Sequence, residues 1–546
     1  MSAIFNKLLK SRGLKTEAQQ KAFLNPNYDK LGDPKLLPDM QKAVKRLKAA
    51  HKNKEKVVIY GDYDIDGLSA TTLLLDAFTQ FGFDVASFIP SRFDEGYGLS
   101  GDAIDRLAED GAQLIVTVDC GSLSVDEIEH AKKIGVDVIV TDHHNLGDKL
   151  PDAVAVINPK RADHKYPFRD FSGVGVAFGL VRAMQLELKG LKAGHEKWML
   201  DLVALGTICD IVPLVGENRT LAFWGLKVMQ QTHRPGIRAL IAVSKINPSD
   251  LNARSLGFGL GPRLNASGRL ETAQLSLDLL TTKDNGKALQ LATELDSMNQ
   301  MRRKEQNRIF EEATLQVSRY ESDEVLVLSS KSWNHGIVGI VAAKILEAHQ
   351  KPTFVMQEIG DETKGSARSF GDYSVGSAIA YSKAHIIKGG GHNLAAGVTL
   401  KTTKITRFRT SVNEYYQSLD LKNQKAHLLP KAEITIDSFD GIDEALVQQI
   451  GQLEPFGEGN PQPVFLIENL TVEQVRKMGE QKQHVKLKLR DKLGNSMQFL
   501  AFSAPEHYFV ESGEKIGIWC TLDINEWMGS RNVEGRLLEV ARSSLL

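Results

Sequence analysis

Three short runs rich in β-branched residues, VVIY at 57–60, QLIVTV at 113–118 and VDVIVT at 136–141, alternate with stretches of helical periodicity such as GLSATTLLLDAFTQF and SVDEIEHAKKIG. Runs this short and this apolar read as strands covered on both faces, and strand–helix alternation is how parallel strands are joined. Residues 57–215 are therefore expected to form an α/β domain built on a parallel sheet. An open sheet of this kind brings the C-terminal ends of its strands to one edge, where ligands bind.

The residues at those ends are acidic. GDYDIDG places Asp62, Asp64 and Asp66 in the loop after the first strand, VDCG places Asp119 after the second, and TDHH places Asp142, His143 and His144 after the third. A further acid, Asp210, closes the apolar, helix-like WMLDLVALGTICD shortly before Pro213. One Asp after a strand is ordinarily a helix N-cap. Capping explains the whole set poorly. Carboxylates gathered at one edge repel one another and need a cation to be stable together. Mixed Asp and His donors suit Mn²⁺, with Mg²⁺ as a substitute and Zn²⁺ less favoured without thiolates. So many carboxylates fit two ions, typically ~3.5–4 Å apart, gripping a phosphate and generating a hydroxide nucleophile. Cys120 and Cys209, next to these acids, read as small buried hydrophobes.

At 546 residues the chain exceeds what one core supports. Five segments are expected: a basic N-terminal segment (1–56), the metal-binding α/β domain (57–215), a helical region with a long connecting helix (216–322), a second α/β domain (323–427) and a strand-rich barrel or sandwich (428–546). The connecting helix rests on KALQLATELDSMNQMRRKEQNRIFEEATLQV, which lacks Gly and Pro. GFGLGPRLNASGRLETA reads as a loop. No apolar run reaches the roughly 18–20 residues that span a bilayer. The N-terminus lacks a secretory pattern, and the three cysteines form no CxxC pair. A reducing cytoplasm without membrane contact is the expected setting. The formal net charge of −1 points to no polyanionic partner. Any such partner depends on local charge such as KAVKRLKAAHKNKEK, which reads equally well as a solvated helix face.

In order, GDYDIDG, VDCG, TDHH and GTICDIVPL resemble the DHH phosphoesterase superfamily, and GSARS with GGGHNLAAG resembles its DHHA1 partner domain. With FLNP, DPKLLPDM and the strand-rich tail, nearly the full length resembles the bacterial single-strand-specific 5′-to-3′ DNA exonucleases of that superfamily. The resemblance implies an α/β chain: a parallel-sheet DHH domain and an α/β DHHA1 domain joined by a long helix, then an OB-fold-like β-barrel. It implies single-stranded DNA as substrate, a role in DNA repair and recombination, and a monomer served by a single-strand-binding protein and a helicase.

Residue by residue, the resemblance assigns Asp66, Asp119, His143 and Asp210 to one metal, and Asp62 and Asp64 with a bridging Asp119 to a second. Asp62, Asp142 and His144 become catalytic, with His144 on the scissile phosphate and Asp142 orienting a neighbouring imidazole. Compact pyrophosphatase relatives carry a metal-binding His where this chain has Tyr60, which implies weaker binding of the second ion. Ser366 and Arg368 would contact substrate phosphate, Arg92 a terminal 5′ phosphate, and His392 with its neighbouring glycines a further phosphate. Arg263, Asn265 and Arg269 either line the strand's path or form a salt-bridged loop. In the tail, HVKLKLR would bury Val485, Leu487 and Leu489 and present Lys486, Lys488 and Arg490 to the strand. Among Phe499, Phe502, Trp519 and Trp527, most are expected in the core. Two alternatives stand: a DHH phosphohydrolase acting on short RNA or small phosphate substrates, and a non-catalytic replication scaffold. None of the motif acids whose loss would mark a scaffold is missing. No expected ligand lies in the tail, so the metal site should not depend on it.

Overall fold

The computed structural model describes residues 1–90, 98–270, 272–421, 424–527 and 529–542. The chain forms two units, one of Met1–Asp296 with Pro430–Leu546 and one of Ser297–Leu429.

In the first unit, β1 (Lys56–Gly61), β2 (Asp84–Phe88), β3 (Leu114–Val118), β4 (Asp137–Thr141) and β5 (Ala155–Ile157) form the expected parallel sheet, in the order 2-1-3-4-5. Helix Ile65–Phe81 buries Leu68, Leu73, Leu74 and Phe78 in the larger core, on one face. Helices Gly101–Glu109 and Val125–Lys133 cover the other face through Ile104, Leu107 and Ile128. The chain runs outward from β1 to β2, then crosses back to β3. That reversal opens a crevice between the ends of β1 and β3, the place where doubly wound sheets bind ligands. Gly61 is level with Val118, and Val118 with Thr141. Asp62, Asp119 and Asp142 therefore leave the sheet side by side.

One local expectation is corrected. The segment read as the loop 257–273 is largely helical, a π-helix over Ser255–Leu260 continued by an α-helix over Gly261–Leu270. Its glycines and proline signal a break locally, but Leu256, Leu260 and Leu264 recur at helical spacing and are fully buried. Burying three leucines contributes several kcal/mol, enough to outweigh roughly 1 kcal/mol per interior glycine. In the second unit, GGGHNLAAG forms a hairpin: Lys388–Gly391 is β9, an exposed edge strand paired antiparallel to β10 (Ala395–Lys401). Strands β6 (Leu326–Ser330), β7 (Thr353–Ile359) and β8 (Glu362–Arg368) complete that sheet in the order 6-7-8-10-9.

The expected long helix runs over Asn285–Val317. The basic N-terminal run forms helix Met40–Asn53, which buries Ala43, Val44, Leu47 and Ala50. Several of its cations are already paired: Lys42 with Asp39, Arg46 with Glu55 and Asp137, and Lys48 with Glu187. It behaves as a solvated face.

In the tail, β11 (Ile434–Ile436) flanks a closed barrel of β12 (Phe465–Met478), β13 (His484–Arg490), β14 (Ser496–Ala501), β16 (Ser530–Arg542) and β15 (Lys515–Trp527), closed by pairing of β12 with β15. Phe465, Leu487, Phe499 and Ile518 fill it. The chain's first helix, Ala3–Ser11, adds Phe5, Leu8 and Leu9 to the same core. Among the described residues, no helix is long and apolar enough to cross a membrane.

Candidate metal centre

Seven of the expected residues meet at the C-terminal edge of the first sheet. Their potential ligand atoms form three overlapping groups, Asp62–Asp64–Asp119, Asp119–His143–His144 and Asp66–His143–Asp210, each with atoms within 4.8 Å of one another. Asp119 belongs to two of these groups. It also stands in a left-handed conformation (φ 61°), which Asp tolerates better than most residues.

Each acid is placed by a local device. Asp64 caps helix Ile65–Phe81, its Oδ1 accepting from the amides of Asp66 (2.8 Å) and Gly67 (3.1 Å). Asp66, in the first turn of that helix, lies against the N-terminus of helix Gly173–Gln185 and accepts from Gly173 N (2.5 Å) and Val174 N (2.9 Å). That helix end favours negative charge. The approach requires glycine: a methyl on Gly173 would fall 2.6 Å from Asp119 Oδ1, and one on Gly206 would fall 2.6 Å from Asp66 Oδ1.

Asp142 is saturated. Its Oδ1 accepts from His143 N (2.7 Å), His144 N (3.1 Å) and His144 Nδ1 (2.9 Å), and its Oδ2 from Ser122 N (2.9 Å). Burial alone would raise its pKa, but the bonds and charge of His144 and the amides hold it well below the usual range. In return Asp142 keeps His144 protonated above its ordinary range, against burial.

His143 differs. Burial, then the charge of His144, lowers its pKa to about 4, so it is neutral near pH 7. Its Nε2 lies 3.1 Å from Asp119 Oδ1, 3.5 Å from Asp210 Oδ2 and 3.9 Å from Asp66 Oδ2. Burial, then the charge of Asp64, pushes both Asp62 and Asp210 up to about 7. Asp66 and Asp119 are raised well above the usual range by burial and by the neighbouring acids.

Four buried atoms, Asp62 Oδ1, Asp119 Oδ1, His143 Nε2 and Asp210 Oδ2, have no hydrogen-bond partner among the described residues. Orphaned oxygens facing one neutral imidazole nitrogen are costly unless a cation joins them. The set fits a divalent metal. The oxygen-and-imidazole chemistry suits Mn²⁺ or Mg²⁺, since burial keeps the Cys120 and Cys209 thiols protonated. Tyr60 takes no part: it is buried on the opposite face of the sheet and donates to Gly98 O (3.1 Å).

The sequence motifs did not point to the Gly173 and Val174 amides. Nor did they point to Asn158, which leaves β5 at the same edge and donates to His144 O (2.9 Å) and Ser122 Oγ (2.9 Å). Asn158 follows the apolar AVI run, so the strand-end rule that found Asp119 would have found it too.

The expected substrate residues fare unevenly. Arg92 lies outside the described residues, as does the side chain of Arg269. Arg263 pairs with Asp296 (2.7 Å) and donates to Gly259 O (2.7 Å), the salt-bridged alternative. Asn265 is half-buried on the same helix. In the second unit, Ser366 and Arg368 share one face of β8 with Lys364, beside Gly339 near the start of helix Val338–His349. Arg368 donates to Ala367 O (2.8 Å), pairs with no carboxylate among the described residues, and has its pKa lowered by burial. His392 sits exposed in the turn after β9.

In the tail, Lys486 pairs with Glu534 (2.9 Å), and Lys488 (3.1 Å) and Arg490 (3.5 Å) both pair with Glu473. The face expected to be basic is thus largely neutralised, because the register of β12 on β13 sets Glu473 beside those cations. Phe499 and Trp519 are buried, whereas Phe502 is 59% exposed.

Comparison with known proteins agrees with this architecture. Residues 56–207 match the model of the DHH family, N-terminal domain, residues 322–418 match the DHHA1 domain, and residues 436–539 match the RecJ OB domain. The chain is 36% identical to the single-stranded-DNA-specific exonuclease RecJ of Bacillus subtilis (strain 168), over 98% of this chain and 67% of that protein. It is 35% identical to the Escherichia coli (strain K12) protein of the same name, over 91% and 89%. The crystal structure of Thermus thermophilus RecJ in complex with Mn²⁺ superimposes with a TM-score of 0.84 at 28% identity, covering 98% of this chain and 76% of that one. The corresponding Mg²⁺ complex gives 0.78 at 27% identity. With identity above a third across nearly all of both chains, and with all three domain models matched in order, the chain belongs to the RecJ family of single-stranded-DNA-specific exonucleases.

Proposed function

We propose that this chain is a divalent-metal-dependent exonuclease that degrades single-stranded DNA from its 5′ end, in DNA repair and recombination. The observation that carries this reading is the set of four unpartnered ligand atoms converging at the switch point of the sheet. Asp62, Asp64 and Asp119 would hold one ion, and Asp66, Asp119, His143 and Asp210 a second. Ions bound there supply charge neutralisation for a phosphodiester and activation of a water nucleophile.

The protein's own groups do the rest. His143, neutral near pH 7, offers Nε2 as a ligand. Asp142 fixes the ring of His144 and raises its pKa against burial, which favours the form in which His144, with its side chain 40% exposed, donates to a phosphate oxygen of the strand. Residues 57–215 act as the catalytic domain, 323–427 as a substrate-binding domain and 428–546 as a platform for the strand. In the cytoplasm, a single-strand-binding protein and a helicase would present unwound strands to this monomer. The scaffold alternative is disfavoured, because every motif acid is present and faces its neighbours.

Incubation with Mn²⁺ and strands labelled at the 5′ or 3′ end tests the direction. Early release of label from 5′-marked strands is expected, and early release from 3′-marked strands would refute it. Arg368, half-buried beside Ser366 and paired with no carboxylate among the described residues, fits a 5′-terminal phosphate. Arg368→Ala should weaken degradation of 5′-phosphorylated strands by about one to two decades, the worth of a lost charged hydrogen bond of roughly 1.5–3 kcal/mol. Strands with a 5′ hydroxyl should be less affected. Equal losses would make Arg368 a general backbone contact.

The ion pairs of the tail lead to a further expectation. Half-exposed pairs are worth only ~0–1 kcal/mol, so DNA phosphates can compete for their cations. Glu473→Gln frees Lys488 and Arg490 and should tighten binding of long strands several-fold. It should also steepen the salt dependence by ~0.7 for each phosphate newly engaged. Unchanged affinity and slope in a salt titration would remove this face from the strand's path.

A further inference from the structure

The segment that leaves the metal centre after Asp210 is held by the tail. Helix Leu200–Cys209 ends at Asp210, whose amide donates to Gly206 O (2.9 Å). The next residue, Ile211, turns left-handed at φ 62°, and its side chain is 69% exposed. A β-branched residue resists that conformation because its Cβ crowds its own backbone, so surrounding contacts must hold it. Burial of Ile211 itself offers no compensation.

The contacts come from either side of the following residues. Asn218, fully buried, donates to Pro213 O (3.0 Å). From the tail, loop 454–460 lies against 213–215. Leu214, 2% exposed, donates its amide to Glu458 O at 2.7 Å. A methyl on Gly457 would fall 2.7 Å from Leu214 Cδ1, so backbone and side chain meet there without spare room.

The loop is braced in turn. Asn460, buried, donates to Leu453 O (2.9 Å) and Pro455 O (2.7 Å) and accepts from Arg12. Arg219, also buried, donates to Leu453 O (2.8 Å) while lying 3.9 Å from the ring of Phe23. None of these side chains belongs to the ligand set. Asn218, Glu458 and Gly457 meet backbone and side chain a few residues from Asp210 Oδ2, the orphaned atom that faces His143, while Asn460 and Arg219 hold the tail loop through Leu453 and Pro455.

We infer that tail loop 454–460 is a positioning element of the metal centre: by pinning Leu214 it fixes the exit from Asp210, and with it the direction of that carboxylate. The inference rests on the reading of Asp210 as a ligand. It makes Gly457 and Leu214 positioning residues and the barrel a mechanical part of the site. A chain cut before the tail would therefore lose more than a DNA platform.

The test is direct Mn²⁺ titration of the full-length protein without DNA, read by the electron paramagnetic resonance of free Mn²⁺, with melting recorded beside it. Gly457→Val should raise the Mn²⁺ dissociation constant by roughly tenfold, as for other groups that orient a ligand. Leu214→Ala should weaken binding several-fold alone, yet restore most of the affinity when added to Gly457→Val, because the valine then fills the vacated space. If Gly457→Val fails to fold, Leu214→Ala decides alone. Folded variants with unchanged Mn²⁺ affinity, beside an Asp210→Asn control that loses it, would overturn the positioning role and leave the loop as packing. An Asp210→Asn control that binds like the parent would instead overturn the ligand reading on which the inference stands.

Discussion

Asp119→Asn is expected to lower turnover on single-stranded DNA by at least about a thousandfold while making the metal-free protein more stable. Asp119 offers a ligand atom to two of the three groups, so its loss weakens both proposed ion positions at once. Metal ions at such sites contribute several kcal/mol of transition-state stabilisation, and each ~1.4 kcal/mol is tenfold in rate. Asn is the informative replacement because position 119 is left-handed. Asn tolerates that conformation, whereas Ala would add ~1–2 kcal/mol of strain and blur the result. The stability gain follows from the same crowding that makes the site: Asp119 is buried among Asp66, Asp64, Asp210 and Asp62, and its charge is penalised by burial and by each of them. Turnover with Mn²⁺ and melting in chelator separate the two effects. A variant that retains near-normal turnover would remove Asp119 from the centre.

Removing the metal should make stability fall as pH rises from about 6.5 to about 8. Asp62 and Asp210 sit near 7 in the folded, metal-free protein, against an ordinary carboxyl value of about 4. The folded state thus holds protons that the unfolded chain has already released. The stabilisation this brings is complete at low pH and is lost as pH climbs through the folded values. His144, also raised, works in the same direction. His143 works in the opposite one, since its folded value is near 4, but its contribution is complete once pH exceeds the ordinary histidine value of about 6.5. Above that point only the falling contributions remain, and their sum is on the order of 1–3 kcal/mol. With Mn²⁺ the acids are held ionised, so the melting gap between Mn²⁺-loaded and chelated protein should widen across this window. A gap that stays constant or narrows would mean that these carboxylates do not share a cation.

Much of the catalytic half was legible because its signals are local. Short β-branched runs alternating with helical stretches have few folded solutions, and a parallel sheet forces its strand ends to one edge. Asp62, Asp119 and Asp142 each follow such a run directly, so periodicity alone located them. Asp210 lies at a helix end, and the apolar helix-like stretch that it closes before Pro213, rather than the sheet, pointed to it.

Other features depended on partners distant in sequence. The glycines and proline of 257–270 looked like a break, yet the burial of Leu256, Leu260 and Leu264 made the segment helical. Lys488 and Arg490 looked free for phosphate, yet the strand register brought Glu473 beside both. Sequence by itself determined the parallel sheet, the acids at its edge, the long helix and the strand-rich tail, because each is written in the period or composition of a contiguous stretch. The tertiary structure alone decided which cations are already paired, which glycines let Asp66 and Asp119 approach, and that the first helix and loop 454–460 close on the rest of the first unit. Those contacts join segments far apart along the chain, and the close packing that selects them leaves no periodic trace in either partner.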